Sequence, residues 1–221
     1  MDKKFWGPST WCSIHTATLK YRPENSESFI NFITSLPYLL PCEYCREHLQ
    51  QNLQDVPFNS HLGNSQEIFV WGYILHDTVN RQLNKHLPIG SKKVSPPLGD
   101  VYKYYLDNYN NNSLWGPCFW RMIHSFAASY RPSPEIKAAF IQFIYALPGI
   151  IPCETCKAQF MDTLNRIPLT DSQFTSAGSL FLWTFLVHDD INKKLGKNSP
   201  SYEEVKNIYF DDSVCKSCSV A

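Results

Sequence analysis

Apolar positions along the chain recur at helical spacing. Phe29, Phe32, Ile33 and Leu36 follow the i, i+3, i+4, i+7 pattern of one helix face, and Phe140, Phe143, Ile144 and Leu147 repeat it. Pro37 and Pro148 follow these runs and are expected to end the helices, since proline lacks an N–H and clashes with the preceding turn. A further helix is predicted from just after Pro41 and again from just after Pro152. Its stripe reads Cys42, Cys45, Leu49, Leu53 in the first case and Cys153, Cys156, Phe160, Leu164 in the second. Both cysteine pairs thus fall at a helix N-terminus, on the buried face. Long helices are predicted from Trp71 to about Lys85 and from Trp183 to about Leu195. No alternating β-branched run bounded by tight-turn residues occurs, so the expected fold class is all-α.

The same pattern appears twice. Trp6, Gly7, Pro8, Trp11 and His15 return as Trp115, Gly116, Pro117, Trp120 and His124, an offset of 109. Phe32, Leu36, Pro37, Pro41, Cys42, Glu43 and Cys45 return 111 residues later, and Trp71, His76, Asp77, Asn80, Leu83 and Lys85 return 112 later. Such a period is too long for a short-repeat solenoid and implies two copies of one small domain. Each copy is expected to hold four main helices and a short fifth. The Ser-, Lys- and Pro-rich stretch 90–99 precedes the fifth helix of copy one, and the Asn-rich stretch 108–113 is the junction. The expected divisions are 1–110, 111–210 and a tail, 211–221.

Composition narrows the function. Formal net charge is zero and Lys and Arg form no stripe, so nothing marks a nucleic-acid or anionic-membrane partner. No run approaches the roughly 20 apolar residues of a membrane-spanning helix. The charged first residues lead into no signal-type apolar stretch, so a soluble, non-secretory protein is expected. Eight cysteines are unusual on this background, and six form CxxC pairs: Cys42 and Cys45, Cys153 and Cys156, Cys215 and Cys218. In such a chain these pairs point to redox chemistry or to metal. A helix N-terminus favours a thiolate through its unpaired N–H groups and dipole, and the thiolate is the species that attacks a disulfide. A thioredoxin-like fold would need a βαβ pattern that is absent.

The surrounding motifs carry a resemblance. GPSTWCSIH, Tyr21-Arg22-Pro23, PCEYC and W-x4-HDTVNRQLNK, each with its counterpart in copy two, resemble the Erv/ALR family of FAD-linked sulfhydryl oxidases over nearly the whole chain. The resemblance implies a four-helix bundle holding FAD, with the two bundles packed as an intramolecular pseudo-dimer and further dimerisation left open. Cys42 and Cys153 would be the interchange thiols, and Cys45 and Cys156 the thiols beside the flavin. Trp11, His15 and Tyr21, with Trp120, His124 and Tyr130, would line one side of the cofactor. His76, Asn80 and Lys85, with His188, Asn192 and Lys197, would hold its adenosine end. Cys215 and Cys218 would be a shuttle. The implied reaction oxidises paired thiols of protein substrates, with electrons passing through FAD to O2 to give H2O2; a thioredoxin-like carrier, a viral structural protein and a host protein stay open as the substrate. The compact form is similar to oxidases of large DNA viruses. The missing signal favours host cytosol, a virus assembly site or the virion over the secretory pathway, with the mitochondrial intermembrane space left open.

Some residues depart from the family pattern. Its Arg after the first Gly is Pro8 and Pro117, its HN is His76-Asp77 and His188-Asp189, and its cysteine three residues before that His is Tyr73 and Phe185. Cys12 and Cys118 do not align with each other, and buried free thiols are expected there, a bridge between the first helices being the lesser alternative. Each histidine alone reads as a core residue, and its recurrence at the matching place favours a binding role. A second, scaffold-only copy and a catalytically silent protein stay open. Two CxxC pairs also suit a four-cysteine zinc site, although that reading leaves the Trp and His blocks unexplained, so no metal is expected.

Overall fold

Polar residues cap the helices and set where they begin. Asp2 Oδ1 accepts the Lys4 N–H at 2.9 Å, Asn64 Oδ1 those of Gln66 and Glu67 at 3.0 Å, and Ser176 Oγ that of Ser179 at 3.1 Å. In this computed structural model, which describes residues 1–85, 87–92, 94–110 and 112–211 (the Asn112 side chain excepted), the elements are α-helices and single 3-10 turns, with no strand among the described residues. Copy one comprises α1 (Lys3–Leu19), α2 (Ser26–Leu39), α3 (Glu43–Asp55), α4 (Ser65–Asn84) and α5 (Leu98–Asp107). Copy two repeats them as α6 (Asn112–Ala128), α7 (Pro134–Ile150), α8 (Glu154–Arg166), α9 (Ala177–Lys194) and α10 (Tyr202–Phe210). This is the expected pair of four-helix bundles with short fifth helices.

Two boundaries in each copy differ from expectation. Pro37 and Pro148 lie inside α2 and α7, each two residues before the end. Each proline forgoes the one bond of its missing N–H, and Leu40 N–H to Leu36 O (3.1 Å) and Ile151 N–H to Leu147 O (2.9 Å) carry the last turns past it. The helices of Trp71 and Trp183 start six residues earlier than expected, at their Asn64 and Ser176 caps.

The stripes Phe29 to Leu36 and Phe140 to Leu147 are buried to 1% exposure or less, and they face each other: α2 packs along α7, and α1 along α6, more extensively than any other helix pair. Phe32 and Phe143 meet across the seam with ring centroids 6.0 Å apart. Gln142 Nε2 donates to Asn31 O at 3.0 Å and to Thr34 Oγ1 at 2.9 Å. Gly149 is required here, because a Cβ at that position would overlap the Ser28 side chain of α2. The two copies therefore share one core.

Cys12 and Cys118 are joined by a disulfide, not left as buried free thiols. They come from α1 and α6, which run side by side, and their Cα atoms lie 6.1 Å apart, within bonding reach. Because the bridge links non-equivalent positions across the pseudo-two-fold, alignment of the copies hides it. It closes a loop of 106 residues in sequence separation. Cys118→Ser is expected to lower the unfolding free energy by about 2–4 kcal/mol, read by urea denaturation; an unchanged midpoint would show that the seam alone holds the copies.

Candidate active site

The first and fourth helices of each copy bring two histidines together, His15 with His76 in copy one and His124 with His188 in copy two. Trp11 and His15, like His76 and Asn80, are i, i+4 pairs on one face. His15 Nε2 lies 3.0 Å from His76 Nδ1, and Trp11 stacks on His76 with centroids 4.0 Å apart and 7° between planes. Copy two reproduces this: His124 Nε2 to His188 Nδ1 is 3.0 Å, and Trp120 stacks on His188 at 3.9 Å and 6°.

Burial keeps all four histidines neutral at pH 7. Desolvation first, then the neighbouring His76, lowers His15 to about 3. Desolvation lowers His76 to about 4 against the opposing pull of Asp77. His188 is lowered to about 4 by desolvation, with Asp189 opposing and Lys197 assisting, and His124 is held well below its ordinary value by burial and His188. Asp77 and Asp189, the departures from the family's Asn, each pair one turn on with a cation, at 2.6 Å to Arg81 and 2.6 Å to Lys193.

Beside each histidine pair opens a cleft, of about 360 Å³ in copy one and about 210 Å³ in copy two. His15, His76 and Asn80 line the first, and Trp120, His124, His188 and Asn192 the second. The fifth helices close them with residues that the motifs did not single out. Tyr105 lies 5.0 Å from the His15 ring and Tyr209 5.4 Å from His124. Burial pushes the Tyr209 phenol up to about 12 against Arg121, which also lines that cleft and occupies the position of Cys12 in copy one.

Asn80 Nδ2 donates to Ser95 Oγ at 3.1 Å, and Asn192 Nδ2 to Ser199 Oγ at 3.1 Å. This equivalence sets a fourth register, an offset of 104, in which Val101 and Tyr105 match Val205 and Tyr209. That register would have revealed the two tyrosines in the sequence; an insertion in the loop of copy one obscures it. It also pairs Lys197 with Lys93, which lies outside the described residues, in place of Lys85. Lys85 and Lys197 are exposed and line neither cleft.

Tyr21 and Tyr130 sit away from the clefts, buried in the core. Their hydroxyls donate to Leu62 O (2.9 Å) and Phe174 O (3.2 Å), anchoring the loops before α4 and α9. The CxxC pairs occupy the N-termini of α3 and α8, where Cys42 Sγ accepts the Cys45 N–H at 3.3 Å and Cys153 Sγ that of Cys156 at 3.2 Å. Cys153 and Cys156 form a disulfide. All four are half-buried against the core, and none lines a cleft. The Tyr109 hydroxyl donates to Pro152 O, with Lys20 over its ring at 3.8 Å, so the junction pins the residue before Cys153. Cys215 and Cys218 lie outside the described residues. No group of three or more metal-ligating side chains gathers among the described residues, and no helix there is long and apolar enough to cross a membrane.

Stacked aromatic walls, an apolar lining and a few fixed polar groups suit a flat, partly polar ring system. A profile of the Erv1/Alr family matches residues 8–95 and again residues 117–210. The chain belongs to the Erv1/Alr family. It is 35% identical over 104 residues to an FAD-linked sulfhydryl oxidase of African swine fever virus, covering 46% of this chain and 84% of that one. It is 32% identical over 84 residues to the mitochondrial FAD-linked sulfhydryl oxidase ERV1 of Saccharomyces cerevisiae, covering 37% and 43%. No solved structure matches the chain significantly.

Between about pH 6.5 and about pH 4 the unfolded histidines bind protons that the folded ones refuse, so acid favours unfolding. The melting temperature is expected to fall through this window, and the His76→Asn/His188→Asn variant to show a shallower fall. A melting temperature independent of pH across the window would contradict the burial assigned to these rings.

Proposed function

We propose that this protein is an FAD-dependent thiol oxidase that forms disulfides in protein substrates, built from units 1–110 and 111–210 with a tail, 211–221. The observation that carries the reading is the Cys153–Cys156 disulfide capping a helix N-terminus, with its counterpart Cys42–Cys45 sequence pair at the same place in copy one. FAD, when bound, accepts an electron pair and passes it to O2, yielding H2O2.

The chain's own residues do the rest. A substrate thiolate attacks the Cys153 sulfur, forming a mixed disulfide and releasing Cys156 as a thiolate. A second substrate thiol, losing its proton, displaces Cys153; the substrate leaves oxidised and the CxxC pair holds two electrons. Cys42 and Cys45 take the same roles in copy one. The backbone N–H of the second cysteine, directed at the first sulfur, favours negative charge there. Trp11, His15, His76 and Asn80, with Trp120, His124, His188 and Asn192, hold the cofactor, and Tyr105 and Tyr209 cover it. Tyr21 and Tyr130 support these walls from the core. Lys85 and Lys197, being exposed, serve at most the outer end. Cys215 and Cys218 shuttle electrons from bulky substrates such as a thioredoxin-like carrier.

Purified protein is expected to show a flavin band near ~450 nm that dithiol bleaches and air restores, with two flavins released per chain. A colourless, zinc-containing protein would overturn the assignment. Cys45→Ala/Cys156→Ala is expected to retain flavin and lose thiol oxidation. Cys215→Ser/Cys218→Ser is expected to slow oxidation of a reduced protein substrate while sparing a small dithiol; equal rates with both substrates would remove the shuttle.

A further inference from the structure

The two copies differ at a buried position that in copy two touches the histidine pair. Thr184 of α9 stands where α4 has Gly72. Its Oγ1 lies 2.8 Å from Phe181 O and 2.9 Å from His124 Nδ1. A threonine hydroxyl has one proton to give. Directed at His124, it would leave two oxygen acceptors facing each other at the Phe181 carbonyl. Directed at Phe181 O, it leaves a lone pair that accepts a proton held on His124 Nδ1. The buried His124 is neutral, so its Nε2 is then an acceptor, and His188 Nδ1, 3.0 Å away, must donate. His188 carries its proton on Nδ1, and its Nε2 is a bare acceptor.

Copy one resolves the opposite way. Gly72 offers no hydroxyl, and the nearby Thr18 hydroxyl donates to His15 O at 2.9 Å. His15 Nδ1 is buried without a hydrogen-bond partner among the described residues. A proton there would be an orphaned buried N–H, which folded proteins tolerate less well than an unused lone pair. The proton therefore sits on Nε2 and is donated to His76 Nδ1 at 3.0 Å. His76 carries its own proton on Nε2.

We propose that the clefts present opposite hydrogen-bonding character, a donor at His76 Nε2 and an acceptor at His188 Nε2, with Gly72 against Thr184 as the deciding residues. Both histidines line their clefts. Resting on the reading of these clefts as FAD sites, this means that His76 engages an acceptor atom of the dinucleotide and His188 a donor, such as an amino or hydroxyl group. The same cofactor is thus held through different atoms, with unequal affinity.

The two copies themselves supply the controls. Thr18 with Gly72 corresponds to Ala127 with Thr184. A Cβ at position 72 would lie 3.2 Å from Thr18 Cγ2, a crowding that Thr18→Ala relieves. Thr18→Ala/Gly72→Thr therefore writes copy two's arrangement into copy one, and Ala127→Thr/Thr184→Gly does the reverse.

The experiment is ¹⁵N NMR of the histidine rings in the flavin-free full chain, where each tautomer has its own pair of nitrogen shifts. The wild type is expected to show His15 and His76 protonated on Nε2, and His124 and His188 on Nδ1. Each swap is expected to convert its own pair. A single tautomer in all four rings of the wild type would overturn the proposal whatever the variants do, and so would swaps that leave the tautomers unchanged. FAD titration of the same samples is expected to show one site altered about two- to tenfold by each swap, the worth of a single hydrogen bond, and the other site unmoved. Two equal sites insensitive to either swap would overturn the ligand contact. A chain that takes up no flavin would overturn the reading of the clefts, independently of the tautomers.

Discussion

The seam between α2 and α7 is the constraint on which the rest of the molecule depends. Each four-helix bundle presents a stripe of phenylalanine, isoleucine and leucine on its second helix, too apolar to face water. Packing the two stripes together removes both from solvent and makes one core of two copies. Gly149, seated on Ser28, allows the close approach, and Gln142 fixes the register by bonding to Asn31 and Thr34. With α2 and α7 locked, α1 and α6 run alongside each other, and the Cys12–Cys118 bridge becomes geometrically available.

A second consequence is the state of the histidines. Helices α1 and α4, like α6 and α9, carry their histidines into a packed interface where the pull of Asp77 on His76 and of Asp189 on His188 is outweighed by burial. Desolvation dominates, the rings are neutral, and each pair shares one hydrogen bond. A neutral imidazole has one donor and one acceptor, so a single hydroxyl at one end of the chain of bonds decides what the other end offers. Duplication of the domain thus did not duplicate the site: Thr184 and Gly72, Arg121 and Cys12, and the longer loop before Ser95 all distinguish the copies.

Much of this was legible in the sequence because it depends on short-range periodicity. The 3.6-residue spacing of Phe29 to Leu36 is a property of one helix, and so are the i, i+4 pairing of Trp11 with His15 and the placing of Cys42 and Cys153 at helix starts. The repeat confirmed each by showing it twice. What escaped were features that no single element contains. Tyr105 and Tyr209 meet His15 and His124 only because short fifth helices fold back over the bundle. Tyr21 and Tyr130 resemble ligand contacts in a motif, yet they turn inward to loop carbonyls. Pro37 and Pro148 lie inside their helices and not after them, because the flanking Leu36, Leu39, Leu147 and Ile150 are held in the core past each proline.

The sequence by itself determined the all-helical class, the duplication, the placing of the Cys42–Cys45 and Cys153–Cys156 pairs at helix starts and the recurrence of the two histidine blocks, since all of these follow from local spacing and internal repetition. Only the tertiary structure decided which surfaces the two copies share, that Cys12 finds Cys118, which loop serine meets Asn80 and Asn192, and which hydrogen-bonding face each histidine pair turns to its cleft. Those outcomes depend on the relative placement of helices far apart in the chain, and on where single buried protons find partners, and neither is written in the spacing of residues along one helix.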